Sequence, residues 1–203
     1  MILSKAVTSF WLSLVAAFFL LASSANADWK PVEKEAPYAI AGTTGPELYA
    51  SIGERGPKAS VGRAIAFTDF KLTWQRDYRP QADGACTLVS ARPKLIITYA
   101  LPRADAKLAE PVKTNWELFI EGVRRHERVH GEMIVAMVKE IEAFTVGLSV
   151  PEDPKCKKIG ARMTERLAQI SQAQRQKSRD FDRVELSEGG TVHQLILALV
   201  NGG

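Results

Sequence analysis

Apolar residues recur every three to four positions in two stretches of this chain and every second position in a third. The longest stretch opens at Pro111 and runs to about Gly147. It carries Trp116, Phe119, Ile120, Val123, Val129, Met133, Met137, Ile141 and Phe144 along one stripe, the spacing of a long amphipathic helix. A second helix is predicted over residues 155–179, with Ile159, Met163, Leu167 and Ile170 inside and a strongly polar outer face. Its tail, SQAQRQKSRD, is polar enough to fray, and the chain is expected to have left the helix by Phe181. Residues 64–78 alternate over Phe70, Leu72 and Trp74, which predicts a half-buried antiparallel strand. A turn cluster, RPQADG, leads to a second strand over residues 86–101, where Pro93 marks a bulge or an edge because it cannot donate to a ladder.

The smaller elements follow from local chemistry. Residues 28–37 read as a polar arm and residues 38–42 as a short strand ending in Gly. Residues 46–52 read as a short helix opening on Pro46, residues 53–62 as a Gly/Pro loop and residues 102–110 as a linker. Pro151 and Pro154 separate the two long helices, and residues 191–200 form an apolar strand or short helix. Strands followed by helices predict an α+β fold, with a small antiparallel sheet packed on the long helices.

The central helix carries unusual chemistry. His126, Glu127 and His130 form an H-E-x-x-H, using two of the chain's three histidines. Residues four apart on a helix share a face, with Cβ atoms about 5–6 Å apart, so both imidazoles can address one Zn²⁺. Glu127 is turned away from that pair and suits a general base acting on a metal-activated water. Both histidines fall on the apolar stripe between Val123 and Met133, so they face the core. The competing reading is a solvated, charge-rich helix face, RRHERVHGE. Gly122 and Gly131 are costly inside a helix, by about 1 kcal/mol each. Gly131, beside the second histidine, leaves room for a neighbouring backbone, for substrate, or for tight helix–sheet packing.

Export changes how the cysteines are read. Residues 1–27 have a signal peptide's form: Lys5, then the apolar run FWLSLVAAFFLL, then Ala25-Asn26-Ala27 before the cleavage point. The run is short for a membrane span of about 20 residues, and none follows, so residues 28–203 are expected to act as one domain in the periplasm or outside the cell. In an oxidising compartment a lone pair, Cys86 and Cys156, predicts one disulfide. Closing so long a loop stabilises by about 4 kcal/mol in the chain-entropy model. The net charge of +4 falls to +3 as Lys5 leaves. The basic residues are spread over helix faces with no aromatic interleaving, which argues against a nucleic-acid partner.

In these residues the sequence resembles the predicted secreted bacterial zinc-dependent proteases, a family described as a domain of unknown function and grouped with the zincin-like metallopeptidases. The resemblance runs through Tyr38-Ala-Ile-Ala-Gly42, Trp74, Cys86 after a Gly turn, Leu101-Pro102, Trp116, His126-Glu127-Arg128-Val129-His130, Cys156 and Phe181-Asp182. It implies a zincin-like domain, one Zn²⁺ and a peptide or protein substrate. Where the family carries a Thr and a His-Gly after the aromatic-Asp pair, this chain has Glu185, Ser187, Glu188 and Gly189. A catalytic zinc takes three protein ligands and water, so the third ligand stays open among Asp182, Glu185, Glu188 and His193. Asp182 is favoured because it keeps the family's register.

The expected function is an exported zinc metallopeptidase with Glu127 as general base. Substrate would lie along a sheet edge, for which residues 95–99 are the expected strand, and Tyr99 is either an oxyanion donor or a core tyrosine. The alternatives are a catalytically silent zincin-like scaffold that binds a partner or envelope component, an exported domain with packed neutral histidines, and a hydrolase of a non-peptide amide.

Overall fold

The sheet is built on one long hairpin. The computed structural model describes residues 29–59 and 62–202; the signal segment read at residues 1–27 lies outside them. Two short strands come first, β1 (Val32–Glu35) and β2 (Tyr38–Ile40), then helix α1 (Gly45–Arg55). The hairpin follows as β3 (Phe67–Pro80) and β4 (Cys86–Ala100), paired antiparallel from Phe67↔Ala100 to Pro80↔Cys86. Its turn is closed by Gln81 N–H to the Ala85 carbonyl at 2.8 Å and by Ala85 N–H to Asp83 Oδ1 at 3.0 Å, with Gly84 at φ 82°. The bulge falls at Asp77/Tyr78, not at Pro93, which pairs with Trp74 in the ladder. Pro93 is tolerated because β4 has only β3 as strand partner there, between the stretches that β1 and β6 cover.

The remaining elements are β5 (Pro102–Ala104), α2 (Val112–Thr145), β6 (Ser149–Val150), α3 (Ile159–Leu186) and α4 (Thr191–Asn201). The fold is α+β, as expected, but the sheet is mixed rather than antiparallel. The residue 28–37 arm contains β1, which runs parallel to β4 with Val32 opposite Ile96. The residue 102–110 linker contains β5, which pairs parallel with β2. All four β1 residues are exposed, so it joins the sheet through its backbone and leaves no apolar alternation to read. Residues 95–99 are consequently an interior strand, flanked by β3 and β1. The sheet's edges are the outer sides of β1 and β3, for which no further strand partner exists among the described residues.

The main core lies between the sheet and α2. Leu95, Ile97, Tyr99 and Leu101 meet Phe119, Val123, Ile134, Met137, Val138 and Ile141 there. Val129 and Met133, placed on the predicted stripe, are only half-buried; the buried face continues through Gly131 and Ile134. A second cluster joins Cys86, Leu88 and Ala91 to Ile159 and Met163 of α3. The Cys86–Cys156 disulfide lies at its border. Residues 191–200 are helical, and α4 packs its Leu195 onto Gly122.

Gly131 owes its place to the sheet: a Cβ there would collide with the Tyr99 hydroxyl. Tyr99 is buried, donates to Glu33 Oε2 at 3.2 Å, and has its pKa pushed up to about 12 by burial and by Glu33. It is a core tyrosine and no oxyanion donor. Gly131→Ala should therefore destabilise by about 1–3 kcal/mol through overpacking, despite alanine's better helix propensity. Tyr99→Phe should recover most of that loss in the double variant. Urea melts of the two single variants and the double check this; strictly additive effects would show that the hydroxyl is not the obstacle.

Candidate metal centre

Helices α2 and α3 and strand β3 meet at a cleft of about 1040 Å³, and the H-E-x-x-H lines it. The 3.6-residue period of α2 aims His126 and His130 towards α3, with both rings mostly buried, their side chains 9% and 12% exposed. Across the cleft, α3 continues unbroken to Leu186, so Phe181, Asp182 and Glu185 are helical rather than beyond the helix end. The tail expected to fray is held by its inner face: Ser178 Oγ lies 3.7 Å from Met133 Sδ of α2, and Phe181 stacks on His126 with ring centroids 4.7 Å apart and planes at 17°. The same ring stands edge-on to His130.

Three donor atoms converge. His126 Nε2 and His130 Nε2 are 3.1 Å apart, and Asp182 Oδ1 is 3.2 Å from the first and 2.8 Å from the second. Donors held at about 2.0–2.1 Å around a tetrahedral ion stand about 3.3 Å from one another, so this spacing fits a small divalent cation. The donor set, two imidazoles and a carboxylate, is one that zinc takes. Among the described residues these three form the group of His, Cys, Asp and Glu side chains close enough to share an ion.

The other sequence candidates lie elsewhere. Glu185 Oε2 is 3.9 Å from His126 Nδ1, on the far edge of that ring. Glu188 is exposed in the turn after α3. His193 lines the cleft from α4, where its Nδ1 accepts from Gly189 N–H at 3.3 Å.

Electrostatics follow from this packing. Burial pushes the Glu127 carboxyl above its usual range, only partly opposed by the Thr68 hydroxyl and the two imidazoles. Thr68 Oγ1 donates to Glu127 Oε2 at 2.5 Å and also lies 3.1 Å from its backbone carbonyl. Burial would lower His130, but the hydrogen bond and charge of Asp182, with Glu127 behind, raise it. Asp182 is held far below the carboxylate range: bonds from both imidazoles overcome its partial burial. The sequence reading missed Thr68. Its signal was parity, since it shares the inward phase of Leu72 and Trp74, where a polar residue requires a polar partner.

The molecule is thus an α+β chain whose two long helices bring an H-E-x-x-H and an aspartate together at one cleft. It belongs to a bacterial family of proteins of unknown function (DUF922), whose model matches residues 35–190. The match spans α2, α3 and the sheet strands from β2 onward, and the family's description carries no activity. No curated protein and no solved structure matches the chain.

Proposed function

We propose that this chain is an exported zinc-dependent metallopeptidase of the zincin-like kind. The observation that carries the reading is the convergence of His126, His130 and Asp182 from two helices, with Glu127 buried beside them against Thr68. His126, His130 and Asp182 would hold the ion. Zinc so held supplies Lewis acidity, making water acidic enough to ionise near pH ~7 and polarising a carbonyl.

The chain's own groups do the rest. Glu127 takes a proton from the attacking water as its oxygen bonds to the scissile carbonyl carbon, then passes that proton to the departing amine as the C–N bond breaks. A base with a raised pKa takes up that proton more readily than an ordinary carboxylate, and burial gives Glu127 that character against the opposing pull of the Thr68 hydroxyl. Phe181 stops the His126 ring from swinging out of line. The free edge of β3 reaches the cleft through Phe67, Thr68, Asp69 and Phe70, so an extended peptide can add to it by backbone hydrogen bonds. Phe67 and Phe70 are exposed there and offer apolar contact to substrate side chains. The Cys86–Cys156 disulfide agrees with work outside the reducing cytosol. No helix among the described residues is long and apolar enough to cross a membrane.

The test is metal content and cleavage. The exported form should carry one zinc per chain, cut a mixture of unstructured peptides, stop on chelation and recover with added zinc. A zinc-loaded chain that leaves the whole mixture intact would favour the silent scaffold, and a chain that takes up no zinc would remove the metal reading altogether.

A further inference from the structure

The His126 ring has two nitrogens, and only one is accounted for. Nε2 faces Asp182 and His130, whereas Nδ1 is buried and has no hydrogen-bond partner. A neutral imidazole that ligates through Nε2 must carry its proton on Nδ1, and that N–H requires an acceptor. Phe181, stacked nearly parallel on the ring, prevents a flip that would exchange the two edges.

The nearest charged group to Nδ1 is Glu185. Its Oε2 lies 3.9 Å away, and its side chain is 18% exposed. Among the described residues its carboxylate makes no side-chain hydrogen bond, so an unpartnered donor faces an unpartnered acceptor across a gap about 1 Å too long. The terminal torsion of a glutamate is broad and soft, and turning it closes such a gap without moving the helix. Glu185 also follows Asp182 by three residues on α3, which puts both on one face. One face of one helix thereby serves both edges of one imidazole.

We propose that Glu185 accepts the Nδ1–H of His126 and acts as a positioning residue, fixing the tautomer that leaves Nε2 free to ligate and increasing that nitrogen's basicity. This rests on His126 being a metal ligand, as proposed above. It also assigns Glu185 a place outside the donor group, because its carboxylate meets the ring edge opposite to Asp182.

The experiment measures zinc affinity of the exported chain by competition with a chelating dye, for wild type, Glu185→Gln, Glu185→Leu and His126→Ala. Loss of an outer-shell partner costs about 10–100-fold in affinity, and that is the loss expected for Glu185→Leu. Glu185→Gln keeps an acceptor oxygen and should stay within a few-fold of wild type. Nitrogen-15 spectra of the zinc-loaded protein supply a readout that a merely structural role would not move: a slowly exchanging His126 Nδ1–H in wild type and the Gln variant, lost in the Leu variant. Thermal melts of the metal-free forms show whether each variant folds. Leu-variant affinity equal to wild type overturns the proposal, as does a Gln variant as weak as Leu, since charge and not acceptance would then be what matters. Wild type binding zinc no better than His126→Ala would instead sink the metal reading, and the Glu185 role with it.

Discussion

Glu127→Gln should leave the chain folded and zinc-loaded while cleavage falls by about 10²–10⁴-fold in kcat, the usual contribution of a positioned acid–base group. Glutamine keeps the shape and an acceptor for the Thr68 hydroxyl, but it cannot carry a proton between water and amine. The metal-free variant should also be more stable than wild type at neutral pH. Burial raises the Glu127 pKa in the folded protein, so the folded state holds its proton to higher pH than the unfolded state does. Stability therefore declines as pH rises from the unfolded value near 4.5 through the folded one, and the full cost is present above both. Glutamine never ionises and escapes that cost. The gain should appear as a rise in Tm of a few degrees at pH 7.5, where ~1 kcal/mol corresponds to about 2–4 °C for a chain of this size, and should vanish near pH 4. Zinc content, peptide cleavage and melts at the two pH values measure this. Full activity in the Gln variant would remove Glu127 from the chemistry, and a lower Tm at pH 7.5 would contradict the burial argument.

Asp182→Ala should lose zinc more severely than the ~100-fold that an outer-shell substitution costs, because it removes one of three converging donors. Glu188→Ala and His193→Ala should bind zinc as wild type does, since neither side chain is among the converging donors. The metal-free protein offers a second signature. Asp182 is depressed, so its contribution is present above its unfolded value near 3.8 and is lost only as pH falls towards the folded one. His130 is raised, so its contribution is full below its unfolded value near 6.5 and is lost as pH rises through the folded one. The stability gap between metal-free wild type and Asp182→Ala should therefore be widest between about pH 4 and 6.5. Zinc affinity should show the opposite slope over that upper range and strengthen with pH, because ligation requires neutral imidazoles and releases protons. Melts and dye competition over the same pH series check both. Zinc binding by Asp182→Ala at wild-type strength would exclude Asp182 as a ligand.

How much of this was legible beforehand depends on how each feature is encoded. The H-E-x-x-H and its helix were readable because both are local: a 3.6-residue stripe and two histidines four apart lie in one element. Asp182 could be singled out only among four candidates, because it lies 52 residues beyond His130 and its position depends on where α3 stops. The helix seemed to end early because its inward face there is polar, with Gln174, Ser178 and Asp182 turned to the cleft, so the apolar period fades where the site begins. Strands β1 and β5 were missed for a different reason. They are short and parallel, and they join the sheet by backbone hydrogen bonds that no side-chain pattern records. Residues 95–99 were mistaken for an edge on the same account, since without β1 they would have been one.

The length of α3 makes it a lever. At 1.5 Å per residue, about 35 Å of helix separates Ile159 from Asp182. Its near end is fixed: the Asp153 carboxylate accepts from the backbone N–H groups of Lys157, Lys158 and Ile159 at 2.7–3.0 Å, and Cys156 is tied to the sheet. A tilt of about 5° about that fulcrum would swing the far end by about 3 Å, as much as the whole spacing between Asp182 and the imidazoles. Alignment of the donors therefore depends on packing far from them as well as on the Phe181 stack beside them. A small cavity made at Met163, near the fulcrum, would be felt at Asp182 as a displaced oxygen.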